Sequence, residues 1–287
     1  MDYNLCDYNT VNSILSKFGF TFSKALGQNF LIDDSVCPNM AQALDADADT
    51  AVLEVGPGIG VLTKELCRTA GKVVSVELDK RLYPVLAETL ADYPNFELVA
   101  GDIMKMDLPK LFEEKFKGYS KIKVCANLPY YITSPVIMTL LEGNLPIDEI
   151  EVMVQREAAQ RLCARVGSRE AGAVTVAVKY YGDAKVLFDV DRECFMPSPK
   201  VDSAVIKISL NSSENKYDVK NEKQFFAVVR GAFAQRRKTA ANSLASSLSL
   251  NKEKIYSALE RLNLDKNIRA EKLEMEDFVN LTDLLFE

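Results

Sequence analysis

A chain of 287 residues with 48% hydrophobic and 26% charged residues is long enough for one large domain, or a large and a small one, and apolar enough for a core. It contains no histidine, which removes Ser–His and Cys–His nucleophilic machinery and every His-ligated metal site. A net charge of −6 argues against an undirected polyanion binder but leaves room for a confined basic patch.

No apolar run approaches the ~18 residues of a membrane span, and the N-terminus lacks the charged and apolar regions of a signal peptide. The six cysteines form no Cys-x-x-Cys pair. The expectation is a cytoplasmic protein with buried free thiols and no metal.

Residues 1–24 read as an arm with a short helix over 10–18. Leu26-Gly-Gln-Asn-Phe-Leu31 follows, either a buried turn or a lid whose Asn29 side chain and Leu31 backbone touch a ligand, and Asp33-Asp-Ser35 reads as a helix start. Residues 50–55 predict a strand, Gly56-Pro-Gly-Ile-Gly60 a glycine loop, and 61–70 a helix. That order lets backbone approach a ligand beside a helix N-terminus, although the spacing is not that of dinucleotide binders.

A second strand, 72–76, ends at Glu77, 21 residues past Gly56, where an acid can accept both hydroxyls of a ribose. A helix over 80–91 and a strand over 96–100 lead to Asp102. Asp102 could accept from the exocyclic amine of an adenine, or simply cap a turn. A fourth strand, 121–126, runs into Asn127-Leu-Pro-Tyr-Tyr-Ile-Thr-Ser-Pro135. Four successive strands thus bring Gly56, Glu77, Asp102 and Asn127 to the edge where open α/β sheets bind ligands.

The stretch from Asn127 to Tyr130 concentrates one kind of chemistry. Asn127 offers an amide oxygen, and Pro129 restricts both itself and Leu128, so that the Leu128 and Pro129 carbonyls can be aimed into a cavity. Tyr130 offers a flat face for a base. Two acceptors aimed at the N–H bonds of an aromatic amine favour the tetrahedral nitrogen that alkylation requires, and they strengthen as that nitrogen becomes positive. The ordinary alternative is a strand-to-loop turn that happens to hold Asn, Pro and Tyr.

Beyond it, residues 134–141 predict a helix, 149–155 a fifth strand and 156–165 a helix. Residues 174–181 fit either strand or helix. Strands over 184–190 and 204–210, joined by Phe195-Met-Pro-Ser-Pro-Lys-Val201, suggest an antiparallel pair at the sheet edge. Residues 211–221 are polar and read as a linker, and helices follow over 222–234, 240–247, 252–261 and 275–286. The boundary expected is therefore 1–210 for the sheet domain with its arm and 211–287 for a small all-helical domain. Arg230, Arg236, Arg237 and Lys238 form a basic run without an intervening acid, a solvated helix end or a phosphate contact.

Taken together, these motifs resemble the small-subunit ribosomal RNA adenine-N6 dimethyltransferases, the KsgA/RsmA family. The resemblance rests on Leu26-Gly-Gln-Asn-Phe-Leu31, Leu53-Glu-Val-Gly-Pro-Gly-Ile-Gly-Val-Leu-Thr63, Val76-Glu-Leu-Asp79, Gly101-Asp102 and Asn127-Leu-Pro-Tyr-Tyr131. Met153-Val-Gln-Arg-Glu-Ala158, Phe195-Met-Pro-Ser-Pro-Lys-Val-Asp-Ser203 and Phe233-Ala-Gln-Arg-Arg-Lys-Thr239 complete it. The chain departs from the family pattern at Thr239-Ala-Ala-Asn242 and around Val166-Gly-Ser-Arg-Glu-Ala171.

The resemblance implies a Rossmann-like class I methyltransferase domain, mostly parallel with an antiparallel edge strand, and makes residues 174–181 helical. It implies S-adenosylmethionine as methyl donor, touched by Asn29, Leu31, Gly56, Glu77, Asp102 and Asn127. Catalysis would fall to Asn127, Leu128, Pro129, Tyr130 and Phe195, with the last two sandwiching the base, and RNA contact to the basic run. The substrate implied is a pair of adjacent adenines in a hairpin loop near the 3′ end of small-subunit rRNA, in a pre-30S particle, with a role in subunit biogenesis and a monomeric enzyme.

Overall fold

A computed structural model describes residues 3–23, 26–210 and 217–287. Six of the positions 211–221 read as a linker, 211–216, lie outside the described residues. The chain divides into two compact units, one of Met1–Ala159 with Lys185–Leu210 and one of Gln160–Ala184 with Asn211–Glu287. Residues 160–184, expected with the sheet, group with the C-terminal helices.

In the first unit the described strands order themselves around β2 (Thr50–Val55). β3 (Lys72–Glu77) and β4 (Phe96–Ala100) lie to one side of it. β5 (Lys121–Asn127), β6 (Glu149–Gln155), β9 (Ser203–Leu210) and β7 (Gly182–Val190) lie to the other. The β4-β3-β2-β5-β6 pairs are parallel and β6 pairs with β9 antiparallel, so the mostly parallel sheet with an antiparallel edge is as expected.

Every residue of β2 is buried, as a strand covered on both faces requires, and the sequence Thr-Ala-Val-Leu-Glu-Val supplies the β-branched and apolar residues for it. The direction of winding reverses between β2 and β5, which opens a crevice at their carboxyl ends. The register pairs Glu54 with Cys125 there, so the strands deliver Gly56 and Asn127 to the crevice side by side. On the other flank Glu77 is registered with Ala100, placing Asp102 next in line.

The helices α3 (Val61–Thr69) and α6 (Thr133–Glu142) follow the expected positions. The helix expected over 80–91 is a 3₁₀ turn, Lys80–Leu82, and then α4 (Tyr83–Thr89), because Pro84 favours a helix start at that point. α5 (Leu108–Lys115), absent from the sequence reading, begins behind Asp107, whose carboxylate accepts from the Lys110 N–H at 3.1 Å.

Two-residue strands β1 (Phe30–Leu31) and β8 (Phe195–Met196) pair antiparallel outside the main sheet. Among the described residues all six cysteines are free; Cys37, Cys67 and Cys125 are buried, while Cys6, Cys163 and Cys194 are only partly so.

Charge is buried on the sheet between β6 and its neighbours. The Lys207 ammonium donates to the Ala43 carbonyl at 2.5 Å, and Lys123 donates to the Leu44 and Asp45 carbonyls. Both lysines thereby serve the carboxyl end of α2 (Val36–Leu44), where backbone carbonyls have no helical partner. Glu149 balances them at 2.9 Å from Lys207 and 3.7 Å from Lys123. Glu151 is fully buried, 4.0 Å from Lys207, with neither carboxyl oxygen hydrogen-bonded, and burial pushes its pKa up to about 8.

In the second unit the stretch that fits either period is α8 (Ala173–Tyr181). Packing decides it: Tyr180 is buried 5.2 Å from the rings of both Phe225 and Phe226 on α9 (Glu222–Phe233). The Gly172 N–H donates to the Thr175 hydroxyl and closes the first turn. α10 (Ala240–Leu248), α11 (Lys252–Arg261) and α12 (Met275–Phe286) complete an all-helical unit, with Phe233 and Phe278 stacked between α9 and α12.

Candidate active site

One cleft of about 1080 Å³, including its open mouth, lies at the carboxyl ends of β2 to β5 in the first unit. Asn29, Leu31, Gly56, Glu77, Asp102, Asn127, Leu128, Pro129, Tyr130 and Phe195 all line it. These residues come from six separate stretches of the sequence, and the fold brings them together.

The floor is the glycine loop. Gly56 has φ +71°, and a side chain there would meet nothing within 4 Å, so bare backbone faces open cleft. Beneath it Glu54 is buried and accepts from the Thr63 and Ser75 hydroxyls at 2.7 and 2.5 Å; burial pushes its pKa up to about 7. Glu77 is buried and accepts the Asp79 N–H at 2.7 Å. Burial raises its pKa, and backbone N–H donors from Asp79, Gly58 and Leu78 hold the rise back. Asp102 lies at the cleft wall and also caps its own turn, accepting the Met104 N–H at 3.0 Å. The two readings of Asp102 are thus compatible, one oxygen serving the turn.

The other wall is the loop after β5. The Leu128 N–H donates to the Met153 carbonyl at 3.2 Å and fixes the strand end. The Pro129 carbonyl accepts the Ile132 N–H at 3.1 Å, which commits it to the turn that opens α6. Of the two backbone carbonyls considered for amine recognition, that of Pro129 thus already has a lone pair engaged. The Tyr130 hydroxyl lies 2.8 Å from the Ser203 hydroxyl, which pins the ring, and burial raises the phenol's pKa. Phe195, buried, reaches the cleft because β8 pairs Leu31 with Phe195 and Phe30 with Met196.

Asn29 and Leu31 of the segment 26–31 line the cleft, where the lid reading needs them. Three residues that sequence reasoning gave no role hold that segment. Gln28 donates to Asp79 at 2.8 Å and accepts the Ser23 N–H at 2.9 Å. Arg81 grips Asp79 at 2.6 Å and the Thr21 carbonyl at 3.1 Å, and its guanidinium holds the Asp79 carboxyl below the usual range. Gln28 and Asp79 both stand inside the motifs quoted above; the contact joins residues far apart in sequence, and nothing local announces it. Among the described residues no group of three His, Cys, Asp or Glu side chains is arranged to hold a metal ion.

The basic run belongs to the helical unit and does not line this cleft. Arg230 stands in the last turn of α9 with its guanidinium 5.9 Å from the Phe226 ring. Arg236, Arg237 and Lys238 stand exposed on the turn between α9 and α10. Gln235 locks that turn, its N–H donating to the Ser243 hydroxyl at 3.0 Å and its side-chain amide to Ser246 at 3.0 Å.

A sequence model of the family described as ribosomal RNA adenine dimethylase matches residues 19–287. A protein of Geobacillus thermodenitrificans named ribosomal RNA small subunit methyltransferase A is 46% identical over 275 residues, 95% of this chain and 94% of that one. A protein of the same name from Clostridioides difficile is 42% identical over 281 residues, 98% of this chain and 96% of its own.

Among solved structures, a dimethyladenosine transferase from Plasmodium falciparum superposes with a TM-score of 0.71 at 26% identity, over 88% of this chain and 95% of that one. The 23S rRNA methyltransferase ErmE gives 0.65 at 26% identity, over 90% of this chain and 100% of its own. A family match over nearly the whole length and relatives above 40% identity agree with the cleft and its Asn127-Leu-Pro-Tyr130 wall: the chain belongs to the ribosomal RNA adenine dimethylases and is a methyltransferase that dimethylates adenine in rRNA.

Proposed function

We propose that this enzyme dimethylates N6 of two adjacent adenines in a hairpin loop near the 3′ end of small-subunit rRNA, with S-adenosylmethionine held by Asn29, Leu31, Gly56, Glu77, Asp102 and Asn127. The observation that carries the reading is the convergence of the cofactor-side residues and the Asn127–Tyr130 wall, with Phe195, on one cleft.

The residues present fit that donor. Bare backbone at Gly56 admits close approach, and Glu77 offers a carboxylate for the two ribose hydroxyls. Asp102 gives Oδ1 to the Met104 N–H, and its Oδ2, 3.4 Å from the exposed Lys105 ammonium, has a lone pair left for the adenine amine, while Asn29 and Leu31 line the cleft beside it. S-adenosylmethionine supplies a sulfonium methyl that is already electrophilic.

The chain's own work is positional. Tyr130 and Phe195 sandwich the target base after it leaves its stack. The Asn127 amide oxygen and the Leu128 carbonyl accept the two N–H bonds of N6 and draw the nitrogen toward tetrahedral geometry. Once alkylated, N6 is strongly acidic and releases its proton to water, so no histidine is required.

The same reading makes the substrate a folded pre-30S particle rather than naked RNA, with Arg230, Arg236, Arg237 and Lys238 on its phosphates and the enzyme a cytoplasmic monomer that takes part in subunit biogenesis. No helix of the described residues is long and apolar enough to cross a membrane. The curated relatives named for the small subunit, at above 40% identity, weigh for that target over the large-subunit one of ErmE.

The test is methyl transfer to undermethylated small subunits, large subunits, the isolated hairpin and adenine-containing duplex DNA at matched concentration. The highest kcat/KM is expected on small subunits. Equal kcat/KM on hairpin and particle defeats the particle requirement, and preference for large subunits or duplex DNA overturns the substrate.

A further inference from the structure

The cleft wall carries a second tyrosine that the mechanism above does not use. Tyr131 follows Tyr130 directly, yet the two rings are held differently. Tyr130 is partly buried and pinned through its hydroxyl to Ser203. Tyr131 lines the mouth of the same cleft with 56% of its surface exposed, among the most exposed large apolar side chains of the described residues.

Its seat is specific. Gly27 of the lid has φ +59°, and a Cβ built there would lie 3.4 and 3.6 Å from the Tyr131 ring and 3.8 Å from Pro129. One edge of the Tyr131 ring is thus backed by glycine, and more than half of the residue's surface is open to solvent. A large aromatic surface left wet beside a site for an extruded base is unfavourable in the free protein and suited to a stacking partner.

A flipped base leaves a neighbour that has lost one stacking partner. We propose that Tyr131 is a stacking platform for the nucleotide flanking the target adenine, a specificity-determining residue that holds the neighbouring purine while Tyr130 and Phe195 hold the base being methylated. The proposal rests on the adenine-N6 reading of the cleft and extends it to the adjacent nucleotide. It accounts for the consecutive tyrosines: the first faces the reacting base and the second faces the strand that carries it.

The competing role for Tyr131 is lid packing alone, and three variants separate the two. Tyr131→Phe keeps the ring, Tyr131→Leu keeps apolar contact with Gly27 but has no aromatic face, and Tyr131→Ala has neither. Steady-state methyl transfer to undermethylated small subunits would be measured for each, with S-adenosylmethionine affinity by calorimetry as a check on the lid. Expected is a Tyr131→Phe enzyme within twofold of the parent. Tyr131→Leu and Tyr131→Ala should raise KM for the particle about tenfold, with kcat and cofactor affinity little changed. A Leu variant as good as the parent, or a loss confined to cofactor affinity or to kcat, overturns the proposal. Failure of the parent enzyme to methylate the particle would instead refute the reading of the cleft beneath it.

Discussion

The two units handle charge in opposite ways. The sheet unit buries it: Glu54, Glu77, Asp79 and Glu151 are exposed by 1, 6, 7 and 0%. All but Glu151 are held by named donors at or near the ends of β2 and β3. The helical unit keeps its core aromatic, Tyr180 against Phe225 and Phe226, and leaves Arg230, Arg236, Arg237 and Lys238 on its surface. A buried polar group has one geometry and few substitutes for its partners, so each should matter singly and little with salt. An exposed cation gains little alone and acts through number and screening. The contrast should be sharpest where one side chain acts alone.

Asn127→Ala should lower kcat by about 10²–10³, the usual cost of removing one donor or acceptor that acts on the transition state, while RNA KM stays near that of the parent. Single-turnover methyl transfer with saturating small subunits measures it. A normal kcat with a raised KM would move Asn127 from chemistry to binding.

Glu77→Ala comes next. It removes a charged acceptor for two ribose hydroxyls, roughly 1.5–3 kcal/mol per charged hydrogen bond, or about ten- to hundredfold in Kd for S-adenosylmethionine. Calorimetry within threefold of the parent would sink the assignment.

Both of these residues were legible in the sequence because a parallel sheet leaves a regular trace: strand, small or acidic residue, helix, repeated. Gly56, Glu77, Asp102 and Asn127 needed only that trace. Phe195 came only from family resemblance, since β1 and β8 are two residues long and carry no periodicity. The latch of Gln28 on Asp79 was out of reach for a different reason: it joins partners far apart in the chain. The missed α5 was readable, because Asp107-Leu-Pro109 is a cap followed by proline at a helix start. Residues 174–181 suited either period until Tyr180 met Phe225 and Phe226.

Glu151 sharpens the contrast within the sheet unit. Glu54 has two hydroxyl donors and a pKa near 7; Glu151 has none and sits near 8. A carboxyl raised in the folded state stabilises fully below its ordinary 4.5, and that contribution is lost as pH rises through about 8. Glu151→Gln removes this titration and keeps the shape. The variant should melt close to the parent at about pH 5 and be more stable above pH 8, by on the order of a few kcal/mol at most. Thermal melts at both pH values decide it, and a difference independent of pH would mean that Glu151 stays ionised beside Lys207, Lys123 and Glu149.

The smallest single effects belong to the helical unit. Arg236 and Arg237 are exposed, on a turn whose shape is set by Gln235 and by Thr239, which caps α10 by accepting the Asn242 N–H at 3.3 Å. Replacing both arginines by alanine leaves those hydrogen bonds in place, so the fold should be undisturbed and only surface charge removed. If they contact phosphate, each lost contact releases fewer counterions on binding. The slope of log K against log salt should then flatten by roughly one unit per contact, with weaker RNA affinity at low salt and a shrinking difference as salt rises. The Asn127 and Glu77 variants should show no such dependence, because their partners lie inside a cleft. Filter binding to undermethylated small subunits across a salt series reads the slope directly. An unchanged slope would return Arg236 and Arg237 to a solvated helix end, and a slope change for Glu77→Ala would erase the distinction between the two units.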